Sequence, residues 1–134
     1  MKYERVKEHN KYGKLYRHYF MDETGNKRGE HRYYQKNGQL GWHSFSRSGY
    51  RYGEVKAFDD TGTVYHHYLM DGKCDEIATV IESGKVSTHT EEQLIEIAKE
   101  HNLPLLSELP KTEEEVTLWN LKWPDMPCLP IEYK

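Results

Sequence analysis

Six glycines punctuate the first two thirds of the chain, at Gly25, Gly38, Gly49, Gly62, Gly72 and Gly84, with spacings of 13, 11, 13, 10 and 12 residues. Intervals of that size hold one strand and one turn and leave no room for a helix. Asn37-Gly38 and Asp71-Gly72 are the strongest short signals for a two-residue type I′ hairpin turn, in which both central residues take positive φ. Gly25 after "DET" and Gly62 after "DDT" fit slightly longer turns that end on a left-handed glycine. Between the turns run aromatic and β-branched segments, "LYRHYFM", "HRYY", "LGWHSF", "RYGEVKAF", "VYHHYLM", "EIATVI" and "KVSTH". With an opening strand near "YERVKEH", the pattern predicts about eight strands in an antiparallel meander.

Part of this pattern is a repeat. Residues 29–38, "GEHRYYQKNG", return 24 positions later as "GEVKAFDDTG" at 53–62. Both copies carry Gly-Glu, then an aromatic five residues after the Gly, then a second Gly four after that. A two-residue turn at Asn37-Gly38 sets Tyr33 opposite Trp42 and Arg32 opposite His43. Cross-strand pairs of this kind contribute roughly 0.2–1 kcal/mol each, so the aromatics have a structural role before any functional one. Glu30 shares a strand face with Arg32, and Glu54 with Lys56, which predicts ion pairs on that face.

The period changes at residue 90. Thr90 and Gln93 form a capping-box start, and Leu94, Ile97, Ala98 and His101 follow at helical spacing until Asn102 and Pro104 stop the helix. A helix of this length is marginal alone, so its apolar stripe is expected to dock near Ile77, Val80 and Ile81. Thr112 and Glu115 predict a second capping box and a short helix through Trp119, and Pro110, Pro124, Pro127 and Pro130 leave the last dozen residues extended. That tail, with Trp119, Trp123, Leu129 and Ile131, either wraps back on the domain or reaches a partner. The expectation is one α+β domain over residues 1–134: a hairpin-repeat sheet to about residue 89, elongated and single-layered, then a helical cap and a Pro-rich tail.

Composition agrees with a thin sheet. Hydrophobic content is 36% while aromatic content is 13%, and mean hydropathy is −0.98; low burial with many aromatics fits a structure with much exposed surface. The halves differ in charge: residues 1–73 hold 14 Lys/Arg against 9 Asp/Glu, and residues 74–134 hold 5 against 13. The first 14 residues have no apolar signal-peptide core, and no segment reaches the ~20 apolar residues of a membrane span. The expectation is a cytoplasmic protein. Cys74 and Cys128 lie far apart without a C-x-x-C pairing, which predicts two free thiols rather than a disulfide or a Cys-based zinc site.

The unit Gly-Glu-x-x-x-Tyr/Phe-x-x-x-Gly, carried by Gly29, Glu30, Tyr34 and Gly38 and again by Gly53, Glu54, Phe58 and Gly62, resembles MORN-type repeats and the related repeats of bacterial antitoxin-like proteins. A degenerate earlier copy is visible in "YFMDETG", residues 19–25. The resemblance spans about residues 13–73. It implies stacked β-hairpins in a twisted single-layer sheet, and protein interaction rather than catalysis; it supplies no catalytic residues.

The residues themselves agree with a non-enzyme. No G-x-S-x-G, Cys/His signature or phosphate loop is present, and the carboxylate pairs lie in a turn or at helix starts. Adjacent His66 and His67 point to opposite strand faces, and repeat-equivalent His43 and His67 sit two strands apart, so neither pair predicts a metal site. No cofactor is expected. The candidate partner contacts are Tyr33, Trp42, Phe45, Tyr50, Tyr52, His66 and Tyr68. The acidic C-terminal half predicts a partner with a basic contact surface, such as a nuclease or host-defence effector that the chain would neutralise as an inhibitor or antitoxin-like protein. The alternative is single-stranded nucleic-acid binding through Lys27, Arg28, Arg32, Lys36, Arg47, Arg51 and Lys56 with stacking aromatics. A free sheet edge leaves homo-oligomers open.

Overall fold

The computed structural model describes residues 2–128. Seven strands, β1 (Tyr3–His9), β2 (Leu15–Asp22), β3 (Gly29–Tyr34), β4 (Leu40–Arg47), β5 (Tyr50–Phe58), β6 (Val64–Asp71) and β7 (Glu76–Glu82), form one antiparallel sheet in sequence order. Helices α1 (Glu91–Glu100) and α2 (Glu113–Lys122) follow, with one short 3-10 turn, Leu106–Glu108, between them. The fold is α+β, a meander capped by two short helices. The eighth segment, "KVSTH", forms no strand. Thr88 and His89 both donate their backbone N–H to the one carbonyl of Thr79, and Ser87 Oγ donates to Val80 O, so the segment lies against β7 without forming a ladder.

The turns correct the sequence reading. Neither Asn37 nor Asp71 has positive φ; among the described residues the non-glycine positions that do are Ser48, Cys74 and Asn102. The type I′ signature belongs to Ser48-Gly49, with φ of 53° and 88°, where Arg47 pairs with Tyr50. The turn at Gly38 is longer, closed by Gln35 N–H to Gln39 O, and a register shift beside Tyr34 follows it. That shift restores the expected pairs, Tyr33 with Trp42 and Arg32 with His43. "DETG" and "DDTG" fold alike: Asp22 Oδ1 and Asp59 Oδ1 each accept from a Thr N–H, the Thr hydroxyl and one further N–H before Gly25 and Gly62 take positive φ.

Alternation along the strands divides the sheet into two faces. One carries Phe45, Leu69 and Ala78, all fully buried, and the C-terminal half lies on it. Thr90 caps α1 with the expected box, and Leu94 and Ala98 enter the core beside Ile77 and Val80; Ile81 stays 39% exposed. Thr112 caps α2 through Glu115 N–H, but Glu115 Oε2 accepts from Lys111 N–H, so the second box does not close. Trp119 stacks on Phe45 at 5.7 Å between centroids and donates its indole N–H to Met126 O. Trp119 and Trp123 are therefore core; Leu129 and Ile131 lie outside the described residues.

The repeat is where this half attaches. Glu54 N–H donates to Pro104 O at 3.0 Å and Glu30 N–H to Pro127 O at 2.9 Å. Gly53 and Gly29 hold φ of 91° and 84°, and a Cβ there would come within 2.5 Å of Pro104 O and 2.1 Å of Pro127 O. Each Gly-Glu is thus a slot that only glycine leaves open, filled by a proline segment. Both glutamates are buried and pair across the strands with the repeat-equivalent histidines, Glu30 with His43 and Glu54 with His67, at 2.6 Å each. Arg32 Nε adds a 2.6 Å bond to Glu30, and Leu106 N–H adds one of 2.7 Å to Glu54. Burial works to raise both carboxyls, but the histidine hydrogen bonds, with Arg32 at Glu30 and Leu106 N–H at Glu54, outweigh it and hold both below the usual range.

Gly29→Ala and Gly53→Ala should each destabilise by more than about 2 kcal/mol, because backbone strain and displacement of a docked proline add. Gly25→Ala meets the same φ but open space and should cost only about 1 kcal/mol. Urea denaturation of the three variants checks the ranking; equal losses would count against the docking role.

Candidate functional site

Among the described residues no helix covers the opposite face, and a row of basic and aromatic side chains gathers there. His31 and Tyr33 on β3, Trp42, Ser44 and Ser46 on β4, Arg17 on β2 and Arg51 on β5 alternate onto this face, and Lys27 joins them from the β2–β3 connection. Together they line a groove of about 340 Å³. Val55 and Ala57, directly opposite Tyr68 and Trp42 in the ladder, are fully buried although no helix covers them. Large aromatic neighbours shade the two small side chains.

The aromatics are held in place by cations. Arg51 lies 4.3 Å over the Trp42 ring and donates to Tyr68 Oη at 3.2 Å. Arg17 sits 5.9 Å over Tyr33, which also meets the edge of Tyr16 at 6.3 Å, and Lys27 lies 5.0 Å over Tyr19. Trp42 Nε1–H donates to Ser44 Oγ at 3.1 Å. At the far end His66 stacks on Tyr68 at 4.0 Å. Such pairs are worth about 0.5–2 kcal/mol each and leave the rings with one preferred orientation.

The groove is electropositive. Burial, then Lys27, Arg17 and Arg51, push His31 from its ordinary 6.5 to about 4, so its ring is neutral at physiological pH. Its Nε2 is buried without a hydrogen-bond partner, as is Arg17 Nε. Glu8 lies near the groove, 3.7 Å from Arg17, and it also accepts from Tyr19 Oη. A recess with shielded nitrogens, three cations and oriented rings suits an anionic group presented by a binding partner.

No family model, curated protein or solved structure matches the chain. The site is therefore defined by its own geometry. Of the residues expected from sequence, Tyr33, Trp42 and His66 present themselves on this face; Tyr68 alternates onto it but is buried, 2% exposed, and Tyr50, 54% exposed, stands at the β4–β5 turn opposite Arg47, on the side of the capped face. Phe45 and Tyr52 do not belong: Phe45 is under Trp119, and Tyr52 is in the same core with its hydroxyl donating to Asn102 O. They alternate onto the capped face.

The proposed nucleic-acid cations divide likewise. Lys27 and Arg51 line the groove, and exposed Lys36 stands at a second hollow beside Tyr34. Arg28 pairs with Asp22 at 3.2 Å, Arg32 with Glu30, and Arg47 with Asp125 at 2.7 Å, while half-buried Lys56 lies opposite His67 on the capped face. Arg17, His31, Ser44 and Ser46 were missed; their common face is visible in sequence only once the register of β2, β3 and β4 is known.

The neutral histidines give a pH signature. His18, on the capped side, is also pushed to about 4, by burial and then by Arg5, Lys7 and Arg32 against the opposing Glu30. The unfolded chain protonates both rings below about 6.5, whereas the fold resists until about 4, so their stabilisation is full above 6.5 and is lost as pH falls through that window. Glu30 and Glu54, with depressed folded values, withdraw theirs only below the ordinary carboxylate range. The urea midpoint should fall steadily from pH 7 to pH 5, and His18→Phe or His31→Phe should flatten that slope. Unchanged slopes in both would refute the assignment.

Proposed function

We propose that the chain is a non-enzymatic protein-binding module of the inhibitor or antitoxin-like type, and that the open sheet face is its contact surface. The observation that carries this reading is the ordered row Tyr33, Arg17, Trp42 and Arg51 across an uncapped groove, with Arg51 anchored from below by buried Tyr68. Tyr, Trp and Arg are the side chains that most often dominate interface energies, and here they are already fixed in position. The resemblance of the Gly-Glu units to MORN-type and antitoxin-like repeats belongs to the same reading. The groove's cations call for an acidic feature on the partner, in place of the basic surface expected from the acidic C-terminal half.

A second reading, single-stranded nucleic acid, is favoured by the cations Arg17, Lys27 and Arg51 that line the groove beside aromatic rings. Against it, Trp42 is already covered by Arg51 and Tyr33 is braced by Arg17 and Tyr16, so neither ring offers a base both of its faces.

Affinity capture from the native host with mass spectrometry, using the wild type, Trp42→Ala and Arg51→Glu, separates the two. A single protein retained by the wild type, and at least tenfold more weakly by both variants, supports protein binding. RNA or DNA released steeply with salt, and no variant-sensitive protein, overturns it in favour of the second reading.

A further inference from the structure

Strands β6 and β7 bring together one imidazole and two carboxylates that neither the groove nor the core uses. His66 pairs directly with Glu82 in the ladder, and Met70 with Glu76. The register shifts twice between these pairs, so seven residues of β7 run beside five of β6. The two extra residues reduce the separation of Glu76 and Glu82 along the strand from about 20 Å to about 13 Å, within the combined reach of two glutamate side chains leaning inward. Both carboxylates converge on His66, and one ligand atom from each of the three residues lies within 4.8 Å of the others.

We infer that His66, Glu76 and Glu82 form a binding site for one divalent transition-metal ion, with zinc as the best fit. His66 Nε2 is shielded from water and has no hydrogen-bond partner; Glu76 Oε1 stands 3.5 Å away. An imidazole nitrogen left in that state costs desolvation that a metal bond would offset. Stacking on Tyr68 at 4.0 Å fixes the ring plane, and Thr79 Oγ1 donates to Glu76 Oε2, which orients that carboxylate from outside. Glu82 is held at 3.0 Å by Lys85, itself 69% exposed, a pairing that a dication would outcompete.

Ligand atoms around tetrahedral zinc lie about 3.4 Å apart, given metal–ligand bonds of about 2.0–2.2 Å. The present spacing therefore closes with about an ångström of movement in two glutamate side chains, while the stacked histidine stays fixed. One imidazole with two carboxylates suits zinc and its neighbours, and the imidazole discriminates against magnesium and calcium. Three protein ligands leave a coordination position for water or for a group from a bound partner. Sequence reading, which compared histidines only with one another, had no reason to join His66 to glutamates ten and sixteen residues on.

The test is titration of the full chain, stripped with chelator, with zinc chloride, read by calorimetry and by the shift in Tm. One zinc per chain with micromolar Kd and a Tm rise of several degrees is expected. Glu82→Gln and His66→Ala should each weaken binding at least tenfold, and His101→Ala should leave it unchanged. If His66→Ala fails to fold, Glu82→Gln and Glu76→Gln decide. No heat and no Tm shift at 100 µM zinc, binding untouched by the glutamate variants, or magnesium binding as tight as zinc would each overturn the site.

Discussion

The structure hangs on the two places where a strand N–H meets a proline carbonyl. Glu54 to Pro104 and Glu30 to Pro127 are backbone bonds made from a sheet face rather than its edge, possible because Gly53 and Gly29 hold positive φ and expose the peptide between glycine and glutamate. The glutamate side chains then turn inward and are matched by His67 and His43. Removing one partner of such a buried pair costs about 3–5 kcal/mol, because the other charge is left in the interior. Two such pairs, spaced by the sheet, fix how the C-terminal half lies, and they bring Trp119 onto Phe45 and α1 onto β6 and β7.

Because that half occupies one face, the other is free to carry polar and aromatic groups that a two-sided core would exclude. Its rings are stabilised by guanidinium and ammonium groups instead of apolar neighbours. The same substitution makes the surface electropositive and adds to burial in keeping His31 neutral. Some acidic residues of the second half are paired on the capped side: Asp125 joins Arg47 and Arg28 there, and Glu108 meets Lys122. The charge asymmetry between the halves is thus partly consumed within the molecule.

Much of the fold was legible because local chemistry determined it. Glycine spacing gave the meander, and Thr90 with Gln93 gave the start of α1. The register at Tyr33 and Trp42 was expected from a turn that does not form, since the longer loop at Gly38 and the shift beside Tyr34 cancel. Long-range facts were not legible. Nothing near Gly29 says that a proline almost a hundred residues away will fill its slot, and nothing near Tyr52 or Phe45 says which face the helices choose. The first hairpin shows how the repeat fades: Lys7 faces His18 as Arg32 faces His43 and Lys56 faces His67, but Arg5 stands where the later copies have glutamate. His18 accordingly has no carboxylate, and its Nε2 is buried unpaired.

The order in which the slots are filled has a consequence for how such a chain grows. The later slot, Gly53, takes the earlier proline, and the earlier slot, Gly29, takes the later one. The partners are closed like nested brackets, roughly 50 and 100 residues apart, so the inner pair can form before the outer and shortens the loop that the outer must close. The β1–β2 hairpin has no such slot, because Glu4 and Arg5 stand where the later copies have Gly-Glu. Duplication of a later hairpin alone would bring its own glutamate–histidine pair but leave a glycine slot with no proline segment to fill it.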